Sequence, residues 1–169
     1  CDDVGTEIAD FICCDTKTPK VIFIHAKADS NTHNCSTSKL HDVCGQATKN
    51  LGYLAMFNDN APSKLNSWQK PWKAKVICGN GKVKSRIVKI HKEMSPTMIW
   101  KQIRACINNP QVEKEVWLFL GNIISQEYFE KELAKNKPAP HVIQAAYLLH
   151  ATMTDAASVG AKLKVFCMK

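Results

Sequence analysis

Two strand patterns joined by a short turn, close to the start of the chain, constrain the fold more than any other feature. Residues 7–13 and 20–27 are rich in isoleucine, phenylalanine and valine, and residues 15–19 supply the turn. A helix pattern with a 3.6-residue apolar period follows over about 36–54. Two adjacent strands followed by a helix predict the beginning of a sheet with a helix packed on it.

Strand and helix patterns alternate over the rest of the chain. They predict a hairpin around the turn 79–81, a helix opened by Ser95 and Pro96, a strand over 115–121, helices over 125–135 and 141–157, and a last strand over 162–167. The class is therefore α/β, with α+β possible, and we expect a mixed sheet covered by helices on both faces. The apolar run over 115–121 predicts a central strand buried on both faces.

Length and composition favour one soluble domain. A chain of 169 residues is long enough to bury a core without disulfides or metals. A content of 45% hydrophobic and 22% charged residues is ordinary for a globular protein. The longest apolar runs are far shorter than a bilayer span. Because the chain begins with Cys1 rather than Met, we expect residues 1–169 to be one domain that is a fragment or C-terminal part of a longer protein.

The eight cysteines predict a reduced, cytoplasmic protein rather than a disulfide scaffold. No CxxC pair occurs, and several cysteines fall on the apolar stripes of predicted strands and helices, namely Cys13, Cys44, Cys106 and Cys167. A reduced chain uses cysteine in this way, as a small buried hydrophobic residue.

The net charge of +8 is distributed unevenly. No acidic residue lies between Asp59 and Glu93, whereas lysines, Trp68 and Trp72 are interleaved there. A block of one charge sign with aromatic residues suits a nucleic-acid backbone. The expected DNA contacts are Lys70, Lys73, Lys75, Lys82, Lys84 and Arg86. The alternative is a solvated basic face that has no partner.

Four residues suggest a catalytic centre. Asp10 lies in the first predicted strand, and His25 and Lys27 are two positions apart in the second, so alternation places both on one face. Gln46 lies on the flank of the following helix that can lean toward the strand ends. Other interpretations remain open: an ion pair or solvated acid for Asp10, a core histidine for His25 and a surface glutamine for Gln46.

This pattern resembles the PD-(D/E)xK nuclease superfamily, which includes restriction-endonuclease-like, Mrr-like and RecB-like nucleases. Asp10 matches the first acid, His25-Ala26-Lys27 the second element and Gln46 the helical glutamine, so the resemblance covers about residues 7–54. The chain departs from the family in having His25 where an acid or glutamine is usual. The helix and strand that usually precede the first acid are missing or lie upstream.

The resemblance implies a restriction-endonuclease-like sheet and a metal-dependent DNA endonuclease, commonly the effector of a bacterial restriction or anti-phage defence system. Such domains work with a helicase, ATPase or sensor, as a partner or a fused domain, and not at a membrane. Mg²⁺ or Mn²⁺ would be held by Asp10, His25 and the carbonyl of Ala26. Lys27 would stabilise charge on the transition state, and Gln46 would hold the attacking water or a phosphate.

Two other hypotheses stay open. The first is a nucleic-acid-binding or assembly module that keeps the nuclease fold with a decayed centre, which His25 in place of an acid favours. The second is a small zinc-dependent interaction domain, because a loop and a helix start offer nitrogen and sulfur ligands from His33, Cys35, His41 and Cys44.

Overall fold

The computed structural model describes residues 7–73, 82–83 and 85–169. Within 72–84 it describes the backbone of residues 72–73 and 82–83 but not their side chains. The strands are β1 (Phe11–Asp15), β2 (Lys20–Ala26), β3 (Trp72–Lys73), β4 (Lys82–Val83), β5 (Glu113–Phe119) and β6 (Ala161–Phe166). The helices are α1 (Thr37–Asn50), α2 (Pro96–Ile107), α3 (Gln126–Leu133) and α4 (Pro140–Ser158), with short 3₁₀ turns at Leu51–Leu54 and Leu65–Ser67. No described helix is long and apolar enough to cross a membrane.

A four-stranded mixed sheet forms the centre of the fold, in the order β1-β2-β5-β6. β1 runs antiparallel to β2, whereas β2, β5 and β6 run parallel to one another. Parallel neighbours need a crossover connection, which helices supply here between β2 and β5 and between β5 and β6. The predicted mixed α/β sheet flanked by helices is confirmed.

Helices α1, α2 and α4 pack on one face of this sheet. Val21 and Phe23 of β2 and Val116 and Leu118 of β5 point into that layer and are buried. The Cys106 thiol of α2 donates a hydrogen bond to the backbone carbonyl oxygen of Asp15 in β1 at 3.5 Å. α4 packs against both α1 and β6, whereas α2 packs against β1 and β2.

The opposite face of the sheet is largely open, which corrects the expectation of helices on both faces for the described residues. Phe11 is 55% exposed there, and Phe119 and Phe166 are each 38% exposed. On this face of β5, Glu115 is buried and Trp117 is half-buried, whereas Phe119 is exposed. The apolar run of β5 misled the prediction because Trp117 and Phe119 pack against Phe166 of β6 instead of a second helical layer.

The predicted helix starts follow from local chemistry. The Ser95 hydroxyl accepts a hydrogen bond from the backbone N–H of Met98 at 3.3 Å, and Pro96 occupies the first turn of α2. The Ser125 hydroxyl accepts from the N–H of Tyr128 at the start of α3, also at 3.3 Å. α1 begins after Ser36, which makes no such side-chain bond. Both serine caps are confirmed.

Only part of the predicted basic hairpin lies within the described residues, and its predicted first arm, 75–78, lies outside them. β3 and β4 align Trp72 with Val83 and Lys73 with Lys82, whereas residues 85–90 form no strand. The Gly-Asn-Gly turn at 79–81 lies outside the described residues. Trp68 is buried, with its ring 6.3 Å from that of Trp100, so this tryptophan belongs to the core and not to a nucleic-acid surface.

The predicted burial of the cysteines is confirmed for two of them and wrong for Cys13. Cys44 and Cys106 are buried as expected, whereas Cys13 is exposed on the open face because it alternates with the inward-facing Cys14. Burial and a hydrogen bond with Cys106 raise the pKa of the Cys14 thiol to about 12. The six described cysteines are unpaired: Cys13, Cys14, Cys35, Cys44, Cys106 and Cys167.

Candidate functional site

Asp10 is fixed to the carboxyl end of β2 by two hydrogen bonds. Its backbone N–H donates to the carbonyl of Ile24 at 2.9 Å, and its Oδ2 accepts from the N–H of Ala26 at 2.7 Å. The N–H and C=O of one strand residue point to the same side, so the carbonyl of Ala26 also points toward β1. Asp10 and the Ala26 carbonyl therefore lie on the same side of the β2 end.

His25 lies beside Asp10 on the helix-covered face. Continuing the register Phe11↔Ile24 by one residue places Asp10 opposite His25. Only 2% of His25 is exposed, and this burial lowers its pKa to about 4 although the Asp10 charge raises it; the Lys49 charge lowers it further. The imidazole is neutral at pH 7, so its unprotonated nitrogen can ligate a cation or accept a hydrogen bond. Only its other nitrogen carries a proton.

Lys27 continues the same strand face beyond β2 and forms an ion pair with α1. Its Nζ lies 3.4 Å from Oδ2 of Asp42, and its side chain is 30% exposed. Its backbone N–H donates to the carbonyl of Phe119 at 2.8 Å, which fixes the residue to β5. Asp42 was not among the predicted site residues. Its position four residues before Gln46 indicates that both lie on one face of the helix, so the sequence could have suggested it.

One flank of α1 runs along this strand end. Asp42, Gln46 and Lys49 are spaced four and three residues apart, so they share that flank. Asp42 contacts Lys27, and the Lys49 charge acts on His25. Gln46 is exposed and lies between them on the same flank of the helix, and its role stays a prediction.

A buried asparagine links α1 to the segment that leads into Asp10. The Nδ2 of Asn50 donates to the carbonyl of Glu7 at 2.8 Å and to the carbonyl of Gln46 at 3.0 Å. Both bonds satisfy an amide that is almost fully buried. In the sequence, this contact is indicated only by the position of Asn50, a polar residue at the edge of the apolar stripe of the helix.

The loop after β2 is held by its own polar cluster. Asp29 Oδ2 lies 2.9 Å from His33 Nε2 and 3.6 Å from Lys39 Nζ, and the His33 bond is the largest cause that lowers the pKa of Asp29. The N–H of Asp29 donates to the side-chain oxygen of Asn122 at 2.9 Å. These contacts fasten the loop to the segment after β5 and so support the position of Lys27.

Gly121 provides the close approach at the end of β5. Its φ is +45°, and a Cβ at this position would lie 3.0 Å from the carbonyl oxygen of Lys27. A left-handed backbone and this contact both favour glycine. The residue therefore allows the turn after β5 to lie against the Lys27 backbone.

The available donors fit a cation that shares its coordination with water and substrate. Asp10 offers a carboxylate, Ala26 a carbonyl on the same side, and His25 a neutral imidazole. Within the described part of the chain, no three His, Cys, Asp or Glu side chains gather as a metal cage. Mg²⁺ commonly binds one or two carboxylates and completes its shell with waters and phosphate oxygens, so the donor set suits it.

The residues of the zinc hypothesis do not converge. The imidazole of His33 bonds Asp29, and Cys44 is buried, with its thiol hydrogen-bonded to Thr152 of α4. His41 lines an open groove between α1 and α4. The spacing of these residues in the sequence therefore does not produce a tetrahedral site.

The predicted DNA contacts are only partly within the described residues. Lys70 is exposed, and Arg86 is half-buried with its backbone N–H donating to the carbonyl of Trp68 at 3.2 Å. The side chains of Lys73 and Lys82 lie outside the described residues, as do Lys75 and Lys84 altogether. The basic DNA interface stays a prediction.

No protein-family model, curated protein or solved structure matches this chain.

Proposed function

We propose that the chain is a metal-dependent nuclease domain of the PD-(D/E)xK type, with a restriction-endonuclease-like sheet, that hydrolyses phosphodiester bonds in DNA. The observation that carries the proposal is the hydrogen bond from the Ala26 N–H to the Asp10 carboxylate at 2.7 Å. It brings the first acid onto the His25-Ala26-Lys27 element at one strand end. The resemblance to the family requires this juxtaposition.

Three donors would hold the cation: the Asp10 carboxylate, the Ala26 carbonyl and the His25 imidazole. A bound Mg²⁺ or Mn²⁺ supplies an attacking hydroxide by lowering the pKa of water and polarises the phosphate. A nitrogen ligand shifts the preference toward Mn²⁺ over Mg²⁺. His25 would remain neutral in this role because burial lowers its pKa to about 4.

Lys27 and Gln46 would act on the phosphate and the attacking water. The Lys27 ammonium stabilises negative charge that develops on the transferring phosphate, and its ion pair with Asp42 orients it. Gln46, on the same helix flank as Asp42, positions the water or a neighbouring phosphate by hydrogen bonds. Asp42 is thus a positioning residue that acts through Lys27.

The biological setting follows from the family resemblance alone. We propose a bacterial restriction or anti-phage effector that acts in the cytoplasm with a helicase, ATPase or sensor. The basic segment formed by Lys70, Lys73, Lys75, Lys82, Lys84 and Arg86 would bind the DNA backbone.

A non-catalytic module with the same fold is the second candidate. It is favoured by His25, which stands where the family has an acid. This candidate shares the geometry and DNA binding of the first but predicts no cleavage with any divalent cation.

A plasmid-nicking assay separates the two candidates. The full chain is incubated with supercoiled plasmid and Mg²⁺ or Mn²⁺, beside Asp10→Asn and Lys27→Ala, with EDTA as a blank. Asp59→Asn and Lys131→Ala are matched controls, because both side chains are exposed and away from the strand end. Cleavage lost in the first two variants and kept in the controls supports the nuclease.

Two results would contradict it. Cleavage that survives Asp10→Asn would place the activity elsewhere or in a contaminant. Plasmid binding without cleavage in either metal would favour the non-catalytic module.

A further inference from the structure

A cluster of three aromatic side chains lies on the open face of the sheet: two exposed phenylalanines and a half-buried tryptophan. We call Trp117, Phe119 and Phe166 the aromatic platform. Phe119 and Phe166 are register partners in β5 and β6, and their rings are parallel, with centroids 4.5 Å apart and an interplanar angle of 10°. The Trp117 ring lies 5.2 Å from that of Phe166. Phe119 and Phe166 are each 38% exposed, so part of each ring stays in contact with solvent.

The aromatic platform lies at the same end of the sheet as the candidate catalytic centre, but on the face opposite to the His25 and Lys27 side chains. Phe119 is the register partner of Ala26, and its carbonyl accepts the N–H of Lys27 at 2.8 Å. Adjacent strands are about 4.8 Å apart, so the platform begins one strand away from the Ala26 backbone. Because β2, β5 and β6 are parallel, their carboxyl ends meet at this same edge of the sheet.

Three lysines and two carboxylates lie beside the platform, and their charges sum to +1 (3 − 2). The Lys164 ammonium lies 5.6 Å from the centre of the Trp117 ring, and Lys20 and Lys162 lie farther down the same face. Glu115 is fully buried between Lys20 and Lys164. Glu113 is half-exposed and pairs with Lys20 and Lys162. A ligand approaching this face meets three lysines and one accessible carboxylate.

We propose that the aromatic platform stacks the bases of a single-stranded nucleic acid whose backbone crosses the sheet edge into the catalytic centre. Aromatic side chains stack any base, and neighbouring cations hold the phosphates. A duplex keeps its bases paired inside the helix, whereas a single strand offers them to the platform. The inference rests on the proposed nuclease function and narrows its substrate to single-stranded or locally unpaired DNA.

The test measures binding without cleavage. A labelled oligothymidine and a labelled duplex are titrated in EDTA with the full chain, Phe119→Leu, Phe166→Leu and the double variant. Leucine keeps the apolar contact but removes the stacking ring, so the fold is retained. We expect about 10-fold weaker binding of the single strand by the double variant and unchanged binding of the duplex.

Tyr147→Leu is the matched control, because Tyr147 is an exposed aromatic residue on α4, away from the open face. Its single-strand affinity should equal that of the wild type. Circular dichroism of each variant checks that the helices and strands remain.

The outcomes distinguish this inference from the nuclease proposal. Equal single-strand affinity in wild type and double variant overturns the platform, even if Asp10-dependent cleavage is present. Platform-dependent binding without any cleavage supports the platform and rejects the nuclease. If the wild type instead self-associates and the double variant does not, the face is an interface between copies of the chain and the proposal is wrong.

Discussion

The Ala26 backbone donates a 2.7 Å hydrogen bond to the carboxylate of Asp10, which is sixteen residues earlier in the chain. This bond joins the residue just before β1 to the last residue of β2. It occupies one carboxylate oxygen and orients the other. The Asp10 side chain is therefore prearranged at the strand end, as a group that must hold a cation needs to be.

The ion pair between Lys27 and Asp42 predicts unequal effects of removing its two members. If the proposed mechanism holds, Lys27→Ala removes the charge that would act on the phosphate and should lower the cleavage rate about 10²–10³-fold. Asp42→Asn leaves that charge but loses its 3.4 Å partner, so we expect a loss of about 10-fold. Initial rates of plasmid nicking measure both. An equal loss in both variants would show that Asp42 takes part directly.

Gly121→Ala should perturb the site through the backbone. The new methyl group would lie 3.0 Å from the Lys27 carbonyl oxygen at a φ of +45°, so we expect a loss of about 1–3 kcal/mol in unfolding free energy. Cleavage should also fall because Lys27 shifts. Urea denaturation and the nicking assay check the two effects.

Gly45→Ala is the matched control. Gly45 lies inside α1, and a Cβ there meets no heavy atom within 4 Å. Alanine should stabilise this helix by about 0.5–1 kcal/mol. A Gly121→Ala protein as stable as Gly45→Ala would show that the turn after β5 adapts freely.

His25 predicts a loss of stability in mild acid. Its pKa is lowered from 6.5 to about 4 in the folded protein, chiefly by burial, so the unfolded chain binds a proton more readily between these values. Stability is then fully present above about pH 6.5 and declines as the pH falls toward 4, by about 3 kcal/mol. Urea denaturation across this range measures the slope.

The comparison variant for this slope is His25→Asn, which cannot titrate there and should flatten the decline. His150→Asn is the matched control, because His150 is exposed on α4 and its removal should leave the slope unchanged. A wild-type slope retained in His25→Asn would assign the effect to another group.

Glu115 predicts a second acid transition at lower pH. Burial alone would raise its pKa, but hydrogen bonds from Lys164, Lys20 and the Trp117 indole outweigh it and hold the pKa at about 2, below the ordinary 4.5. The stabilisation is present above pH 4.5 and is lost as the pH falls toward 2. Glu115→Gln should cost about 1–3 kcal/mol at pH 7 because it breaks this network.

The measurement is again denaturation against pH. Glu115→Gln should remove only the part of the pH dependence below 4.5 that Glu115 contributes, whereas the His25 transition at higher pH stays. Glu113→Gln is the control, since Glu113 pairs with lysines on the surface and should change stability little.

Local patterns in the sequence were sufficient for the order of most elements and for the position of the suspected acid, histidine and lysine. Strand alternation and helix period depend on neighbours within a few residues, and the Ser95 and Ser125 caps are chosen by the next turn of backbone. The placement of Asp10 opposite His25 also followed, because a two-strand pair with a short turn has few possible registers.

Only the tertiary structure decided what surrounds that centre and what the sheet exposes. Asp42 and Asn50 reach the site because α1 packs across the strands in one orientation, which no local pattern encodes. The apolar run of β5 indicated burial on both faces. Its Phe119 packs instead on Phe166, 47 positions later in the chain, and part of each ring stays in solvent. Contacts between distant residues depend on how helices and strands pack, so the sequence alone determined the elements and the packing determined the site.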